Sequence, residues 1–596
     1  VWVKQCYKAY KGTDIITTWV EIGNAGKKPV TLFQFSSAYL PMSRGDNWLT
    51  HFHGSWGAEH TMDEEKLTNG QKVIANKDGL ANTETDNPSF MLSLDGRPQE
   101  ESGKVFGGIL AWSGNYKLKL DVRNTALNII VGMNEESSQY ILEPKETFVT
   151  PEFAMTYSTN GKGGVSRAFH HWARQYKMNQ GERLHDILLN SWEGVYFKVN
   201  QKGMDEMMEA FSAMGGELFV MDDGWFGNKY PRNGGNSSLG DWEVCKEKLP
   251  EGIEGLLASA RKHHIKFGIW IEPEMSNTKS ELFEKHPDWI LKIDNRPLST
   301  GRGKTQVVLD LTNPKVQDYV YGVVDNLMTK YPGIAYFKWD CNSPITNIYS
   351  PYLKDQQSHL YIEYVRGLYN VLERIKQKYP NLPMMLCSGG GGRCDYEALK
   401  YFTEFWPSDN TDAVERIFIQ WGYSYFFPAK SMAAHVTSWG KQPVKFRTDV
   451  ASMCKLGFDI RIHEMSQTDQ QYCKEAVANF KRLDDVILDG DQYRLQSPYE
   501  SQHAAVMYAN DNADKAVLFA FDIHPRYAES IQPLRLQGLK EDARYELKEI
   551  NLVPGTQSRL ACNGKTFSGE FLMNVGIPVF SSRPTNSHVI EITEVK

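Results

Sequence analysis

The chain has 596 residues, of which 41% are hydrophobic and 23% are charged, as in ordinary globular proteins. The net charge of −7 and the absence of a long basic run argue against nucleic-acid binding. No apolar stretch approaches the ~20 residues that a membrane-spanning helix needs, and the length predicts several domains rather than one core.

Residues 1–185 show short alternating runs separated by turn signals, which predicts antiparallel β structure in a large sandwich. Residues 164–177 have the spacing of a helix that leads into the next domain. The chain starts at Val1 inside a strand-like pattern, without a charged leader segment. We therefore expect a truncated domain whose N-terminus and any signal peptide are missing, in a soluble protein for which a cytoplasmic and a periplasmic location both stay open.

Residues 186–487 alternate between apolar strand-like runs and stretches of helical period, as parallel βαβ units do. Eight strands are predicted near Leu188, Phe219, Ile269, Tyr336, Met385, Phe405, Ala433 and Gly457. Eight strands in about 300 residues fit a (β/α)8 barrel of the TIM type. The second possibility is an open doubly wound sheet, but its Gly-x-Gly-x-x-Gly fingerprint is absent.

Residues 488–596 return to alternating runs separated by turns, which predicts a small C-terminal β-sandwich. Residues 516–521, 543–550 and 589–592 are its clearest strands. The eight cysteines of the chain show no Cys-x-x-Cys spacing, so a zinc site and a disulfide framework are not expected.

Several barrel strands run directly into polar side chains or glycines. These are Asp222 and Asp223, Glu272 and Glu274, Asp340, Cys387 with the glycines at 389–392, and Asp409. The C-terminal ends of barrel strands converge on one face, where barrel enzymes carry their active sites. A pocket with carboxylates and tryptophan walls suits a sugar, because carboxylates accept hydroxyl hydrogen bonds and indole rings cover apolar C–H faces.

The paired carboxylates Asp340 and Asp409 are the strongest chemical signal, at the ends of the fourth and sixth predicted strands. Glycoside hydrolysis needs one carboxyl group at the anomeric carbon and another at the leaving oxygen. The charge of Lys338 should keep Asp340 ionised, as a nucleophile requires. Asp409 lies beside Trp406 and Pro407, where desolvation should raise its pKa, as an acid requires.

Two other patterns do not predict sites. The glycines at 389–392 lack the Gly-Lys-Ser/Thr ending of a phosphate-binding loop, and they more plausibly allow the backbone to approach a ligand closely. The neighbouring histidines at 51 and 53, 170–171 and 263–264 have no Cys or carboxylate at metal-ligand spacing. We therefore expect no metal site among these histidines.

The motifs at these strand ends resemble those of glycoside hydrolase family 36, in particular its bacterial α-galactosidases (melibiases). They are MDDGWFG (221–227), SLGDW (238–242), KFGIWIEPEM (266–275), VLDL (308–311), KWD (338–340), CSGGGGR (387–393) and WPSDNTD (406–412). The resemblance extends from about residue 15 into the C-terminal domain.

This resemblance implies a retaining α-galactosidase with an N-terminal β-supersandwich, a central (β/α)8 barrel and a C-terminal β-sandwich. The substrates would be melibiose- and raffinose-type galacto-oligosaccharides, hydrolysed by double displacement without a cofactor. No nucleic-acid or membrane partner is implied, and a homo-oligomer stays open.

The resemblance also implies roles for individual residues. Asp340 would be the nucleophile and Asp409 the acid/base, ~5–5.5 Å apart as in retaining enzymes. The implied substrate-binding residues are Asp222 and Asp223 for the 4- and 6-hydroxyls, Lys338 and Arg302 for other ring hydroxyls, Cys387 and Gly390 near the 2-hydroxyl, and Trp192, Trp270 and Trp406 as walls. Pro407 departs from the family, which has threonine there.

Two alternatives stay open. An α-N-acetylgalactosaminidase would use the same scaffold, although Cys387 and the bulk of Trp406 favour a plain 2-hydroxyl. A catalytically inactive carbohydrate-binding protein is the alternative from a different class, and the presence of both Asp340 and Asp409 argues against it.

Overall fold

The computed structural model describes residues 1–184 and 186–595. In this part of the chain, a central sheet of eight parallel strands curls into a barrel. In barrel order, strands 1 to 8 are Leu188–Asn190, Leu218–Met221, Lys266–Ile271, Ile334–Trp339, Met384–Leu386, Glu404–Phe405, Ala433–Val436 and Lys455–Phe458. Strand 1 pairs with both strand 2 and strand 8, and a single bridge from Phe405 to Met432 continues the sheet towards strand 7. The predicted barrel and its eight strands are confirmed.

The barrel strands are buried on both faces, which explains why they read as continuous apolar runs in the sequence. Five of the six residues in strand 4 are buried, including Lys338 near its end. The helices around the barrel include Gln201–Met214, Gly252–Lys262, Pro314–Lys330, Leu360–Lys378, Ala413–Tyr423, Val444–Ala451 and Gln467–Asp489. Within the described residues, no helix has the length and apolarity needed to cross a lipid bilayer.

The N-terminal region consists of antiparallel sheets with a shared apolar core. The larger sheet contains Trp2–Ala9, Ile16–Gly23, Phe153–Ser158, Val105–Leu110, Asp86–Ser93, Trp48–His53, Thr61–Lys66 and Thr147–Val149. The smaller sheet contains Ala38–Ser43, Ala126–Met133, Tyr116–Val122 and Gly70–Ala75, and Val30–Leu32 pairs with Tyr140–Leu142. The helix Gly161–Trp172 then leads towards the barrel.

The C-terminal region forms one six-stranded antiparallel sheet among the described residues. Its strands are, in sheet order, Asp491–Gln496, His503–Ala509, Lys515–Asp522, Asn586–Val595, Arg544–Ile550 and Lys565–Ser568. One face packs on the helix Gly569–Asn574 and the adjoining loops. The other face packs on barrel helices, where Phe521 meets Phe446 with ring centroids 5.7 Å apart. The boundaries of the three regions, at residues 185 and 487, stay predictions.

The N-terminal region lies against the mouth of the barrel. Thr83 donates its backbone N–H to the carbonyl of Gly392 (2.9 Å) and its hydroxyl to the carbonyl of Gly391 (2.7 Å). The same hydroxyl accepts the backbone N–H of Cys394 (2.8 Å). These contacts attach the loop after strand 5, with its four glycines, to the N-terminal sheets.

A buried ion pair lies beneath that mouth. Arg393 donates to both oxygens of Glu274, at 2.6 and 3.1 Å. Trp339 Nε1 (2.8 Å) and the hydroxyl of Tyr364 (3.1 Å) also donate to this carboxylate. The group joins the ends of strands 3 and 4 to the glycine loop, and both charged side chains are almost fully buried.

Replacement of Glu274 by glutamine should therefore destabilise the protein strongly, because the guanidinium of Arg393 would stay buried without a counter-charge. We expect Glu274→Gln to lower the free energy of unfolding by about 3–5 kcal/mol, measured by urea or thermal unfolding. Glu281→Gln is the control, because Glu281 pairs with Lys285 only at 4.0 Å on the surface and should cost less than about 0.5 kcal/mol. Equal losses in the two variants would contradict this account.

Candidate active site

A cavity of about 570 Å³ opens at the C-terminal ends of the barrel strands. It is lined by every predicted site residue except Gly390, namely Trp192, Asp222, Asp223, Trp270, Arg302, Lys338, Asp340, Cys387, Trp406 and Asp409. The strand-end pattern in the sequence thus corresponds to one pocket in the structure, as expected for a barrel.

Asp340 follows strand 4 and is buried. Its Oδ2 accepts hydrogen bonds from Asn342 Nδ2 (2.7 Å) and Trp270 Nε1 (3.2 Å). Its Oδ1 accepts the backbone N–H groups of Cys341 (2.8 Å) and Gly389 (3.2 Å). Four donors on two oxygens hold this carboxylate in a fixed orientation.

The surroundings of Asp340 favour its ionised form. Burial by itself raises the pKa of this carboxyl, but the positive charge of Lys338, the hydrogen bond from Asn342 and the charge of Arg302 outweigh that effect. The pKa of Asp340 therefore lies below the usual value for aspartate. The carboxylate is available as a nucleophile in weakly acidic and neutral solution.

Asp409 follows strand 6 and is held differently. Its Oδ1 accepts the indole N–H of Trp406 (2.9 Å), and its Oδ2 accepts the indole N–H of Trp56 (3.1 Å). Burial, followed by the negative charge of Asp340, raises the pKa of Asp409 above its usual value, although both indole hydrogen bonds oppose the change. The pKa values of the two carboxyl groups on this cavity are thus shifted in opposite directions.

Asp222 forms a buried ion pair with Lys338, with 2.9 Å between Nζ and Oδ2. The same oxygen accepts Asn190 Nδ2 (2.8 Å), and the backbone N–H of Asp223 donates to Oδ1 (2.8 Å). Lys338 also faces the ring of Trp406, at 5.6 Å from its centroid. The ion pair links the ends of strands 2 and 4 across the floor of the pocket.

Asp223 has a partner that the sequence analysis missed. Arg232 donates from Nε and Nη2 to the two oxygens of Asp223, at 2.9 and 2.8 Å. Its Nη1 donates to Asn277 Oδ1 and to the carbonyl of Ser237, both at 2.9 Å. Arg232 lies in a loop between motifs, and no spacing rule connects it to Asp223 in advance.

Arg302 and Trp192 lie together at one side of the cavity. The guanidinium of Arg302 lies 5.3 Å from the centroid of the Trp192 ring, a cation–π distance. The negative charges of Asp223, Glu272 and Asp340 raise the pKa of Arg302 against the opposing effect of burial, which is the largest single contribution. A permanent cation therefore faces the carboxylates of the pocket.

Gly390 lies beneath Asp409 rather than on the cavity wall. Its φ is +92°, and a Cβ placed on it would lie 2.7 Å from Glu59 Oε1 and 2.8 Å from the backbone nitrogen of Asp409. Only glycine combines this backbone conformation with such a close approach. Cys387, in contrast, is buried and lines the cavity beside Asp340.

Gly389, from the predicted glycine run, also lines the cavity. The remaining lining residues were not predicted from the sequence, namely Trp56, Ala81, Glu84, Glu193, Tyr196, Cys341, Asn342, Ser343, Pro344, Ser388, Trp439 and Asp459. Asp459 directly follows strand 8, and Asn342 lies three residues after the end of strand 4, so the strand-end pattern applies to both. Trp56, Ala81 and Glu84 come from the N-terminal region, and nothing in their local sequence points to the barrel.

Glu193 and Asp459 form a second acidic pair on the cavity. The backbone N–H of Glu193 donates to Asp459 Oδ1 (2.7 Å). Burial and the negative charge of Asp409 raise the pKa of Glu193 to about 7. Burial and the charge of Glu193 raise the pKa of Asp459 well above its usual value.

Glu272 lies behind the loop that contains Asp340 and Asn342. Its Oε1 accepts Gln306 Nε2 and the backbone N–H of Asn342, both at 2.6 Å. Burial and the charge of Asp340 raise the pKa of Glu272 to about 8.

In the described part of the chain, no group of three or more His, Cys, Asp or Glu side chains is arranged to hold a metal ion.

Comparison with known proteins agrees with this architecture. The models of the glycosyl hydrolase family 36 N-terminal domain, the melibiase domain and the family 36 C-terminal domain match residues 1–143, 147–490 and 503–592. The chain is 34% identical over 563 residues to the α-galactosidase AgaA of Geobacillus stearothermophilus, covering 92% of this chain and 76% of AgaA. It is 33% identical over 588 residues to α-galactosidase 2 of Hypocrea jecorina, covering 96% and 75%.

A solved structure gives the same result. The crystal structure of an AgaA variant in complex with raffinose superposes with a TM-score of 0.93 at 31% identity, covering 100% of this chain and 81% of AgaA. The matched domains follow one another along almost the whole sequence and include the cavity described above. The chain therefore belongs to glycoside hydrolase family 36.

Proposed function

We propose that the protein is a retaining α-galactosidase that removes terminal, non-reducing α-linked galactose from melibiose- and raffinose-type oligosaccharides. One observation carries the proposal: Asp340 and Asp409 line the same cavity, and their pKa values are shifted in opposite directions. When the pKa values of two such carboxyl groups are shifted in opposite directions, the group with the lower pKa can act as nucleophile and the group with the higher pKa as acid. The activity named for AgaA and the H. jecorina relative supports the substrate class.

In the first step, the protonated carboxyl of Asp409 gives its proton to the glycosidic oxygen, while Asp340 attacks the anomeric carbon. The C–O bond to the leaving sugar breaks, and galactose becomes linked to Asp340 with inverted, β configuration. Asn342 and Trp270 hold the attacking carboxylate in place through their hydrogen bonds to Oδ2.

In the second step, the ionised Asp409 removes a proton from water, and the water oxygen attacks the same carbon. The bond to Asp340 breaks, and galactose leaves with its α configuration retained. This sequence requires the two carboxyl groups to lie about 5–5.5 Å apart when substrate is bound. No step needs a redox partner or a metal.

Selection of galactose over glucose is assigned to the floor of the pocket. Asp222 and Asp223 are fixed by Lys338 and Arg232, yet their oxygens keep lone pairs for substrate hydroxyls. An axial 4-hydroxyl would reach these acceptors, and an equatorial one would leave them buried and unmatched. Unpaired polar groups of this kind discriminate strongly between otherwise similar substrates.

The nucleophile assignment is tested by Asp340→Asn. We expect kcat for nitrophenyl α-galactoside to fall by about 10⁴-fold or more, since removing a nucleophile eliminates the covalent route. The control Asp294→Asn changes an exposed aspartate outside the cavity and should keep wild-type activity. Substantial hydrolysis by the Asp340 variant would exclude the proposed role.

The two carboxyls also predict a bell-shaped pH dependence of kcat/KM. Asp340 must be ionised, and its lowered pKa means that activity is lost only when the pH falls below the usual range for aspartate. Asp409 must be protonated, so activity is lost as the pH rises through its raised pKa.

Glu193→Gln should move the alkaline limb of this profile to lower pH. The negative charge of Asp409 raises the pKa of Glu193. Because such coupling is reciprocal, an ionised Glu193 should raise the pKa of Asp409, and glutamine removes this charge. Glu84→Gln is the matched control, because Glu84 also lines the cavity but the only charge that perturbs its pKa is that of Asp78. A shift of equal size in both variants would contradict the direct interaction.

Substrate class is tested with nitrophenyl α-galactoside, α-glucoside and α-N-acetylgalactosaminide. We expect kcat/KM to be higher by at least about 100-fold for the galactoside, because the other sugars leave polar groups unmatched or collide with the wall at Cys387 and Trp406. Turnover of the acetylated sugar alone would favour the N-acetylgalactosaminidase. Binding of galactose without turnover of any substrate would favour a carbohydrate-binding protein.

A further inference from the structure

A loop of the N-terminal region, residues 56–59, contacts three consecutive residues after barrel strand 6. Trp56 Nε1 donates to Asp409 Oδ2 (3.1 Å), and Asn410 Nδ2 donates to the carbonyl of Gly57 (2.9 Å). The hydroxyl of Ser408 donates to Glu59 Oε2. We propose that this 56–59 loop is a positioning element that aims the carboxyl of Asp409 at the glycosidic oxygen.

The loop has a rigid base. It connects the strands Trp48–His53 and Thr61–Lys66, which pair in register up to His53 and Thr61. The N–H of Ala58 donates to the carbonyl of Ser55 (2.9 Å), and Gly57 has a φ of +80° that closes the turn. A tight hairpin between paired strands keeps its side chains in one place, as a positioning element must.

Glu59 is the inner contact of this loop. It is 1% exposed, and its Oε1 has no hydrogen-bond partner among the described residues. Burial raises its pKa, and the charge of Asp409 adds to the effect against the opposing hydrogen bond from Ser408. The carboxyl of Glu59 fills the space that a side chain at Gly390 would need, so it packs directly beneath the backbone of Asp409.

Trp56 is the outer contact, and its chemistry bears on the reaction. An indole N–H can only donate, so it stabilises the ionised carboxylate of Asp409 and orients its Oδ2. Trp406 occupies Oδ1 from inside the barrel, whereas Trp56 stands at the mouth with 55% of its surface exposed. The proposal therefore assigns proton transfer to Oδ2, the oxygen that Trp56 contacts from the mouth.

The proposal rests on the proposed function, because it assumes that Asp409 acts as acid. The first test is Trp56→Phe, assayed by kcat/KM on melibiose, whose leaving sugar needs a proton, and on dinitrophenyl α-galactoside, whose leaving group does not. We expect a loss of about 10-fold on melibiose, the value of one hydrogen bond, and a change of less than about twofold on the aryl substrate. The alkaline limb should move to higher pH, because the lost hydrogen bond favoured the ionised form.

Trp439→Phe is the matched control. Trp439 also lines the cavity mouth, with its ring centroid 6.3 Å from that of Trp56, but it makes no hydrogen bond to Asp409 among the described residues. It should affect both substrates equally and leave the pH profile unchanged. The same behaviour in Trp56→Phe would overturn the proposal and leave Trp56 as a contact for the leaving sugar only.

Glu59 provides a second test that does not involve the cavity surface. Glu59→Gln keeps an acceptor for Ser408 and should retain near wild-type kcat/KM, whereas Glu59→Ala should lose activity on melibiose more than on the aryl substrate. Equal losses on both substrates in folded Glu59→Ala would contradict positioning. Failure of the wild-type enzyme on every α-galactoside would refute the proposed function itself, which separates the two results.

Discussion

The buried ammonium group of Lys338 is the charge on which the rest of the site depends. It pairs with Asp222, faces Trp406 and lowers the pKa of Asp340 against the effect of burial. Many carboxyl groups converge at this end of the barrel, and they repel each other in a medium of low dielectric. The cation at the end of strand 4 lowers the pKa of Asp340, whereas burial and the charge of Asp340 raise the pKa of Asp409.

The site also lies at the interface between the barrel and the N-terminal region. Strand ends of the barrel supply Asp340 and the floor of the pocket, while a hairpin of the N-terminal sheets supplies Trp56 and Glu59. Gly390 makes this possible, because a larger side chain there would collide with Glu59 of the N-terminal region. The glycine run therefore has a steric role in assembling the pocket, and no phosphate is needed to explain it.

Local patterns were sufficient to predict the barrel, its eight strands and part of the cavity lining. Apolar runs that end in Asp222, Asp340 and Asp409 indicate both a strand and a site residue, because a parallel strand is buried along its length and exposed only at its end. Arg232 and Trp56 could not be predicted in this way. Their positions depend on how loops and separate sheets pack, and such contacts leave no periodicity in the sequence.

The contact between Trp56 and Asp409 joins residues 353 positions apart. During synthesis the N-terminal sheets emerge first and can fold while the strand that carries Asp409 is still being made. The hydrogen bond from Trp56 to Asp409 then forms only when the barrel docks on N-terminal sheets that have already folded. Contacts between residues so far apart in the sequence form late in folding and break early in unfolding. Hydrolytic activity should consequently report the docking of the two regions, and mild denaturant should abolish it while most of the secondary structure persists.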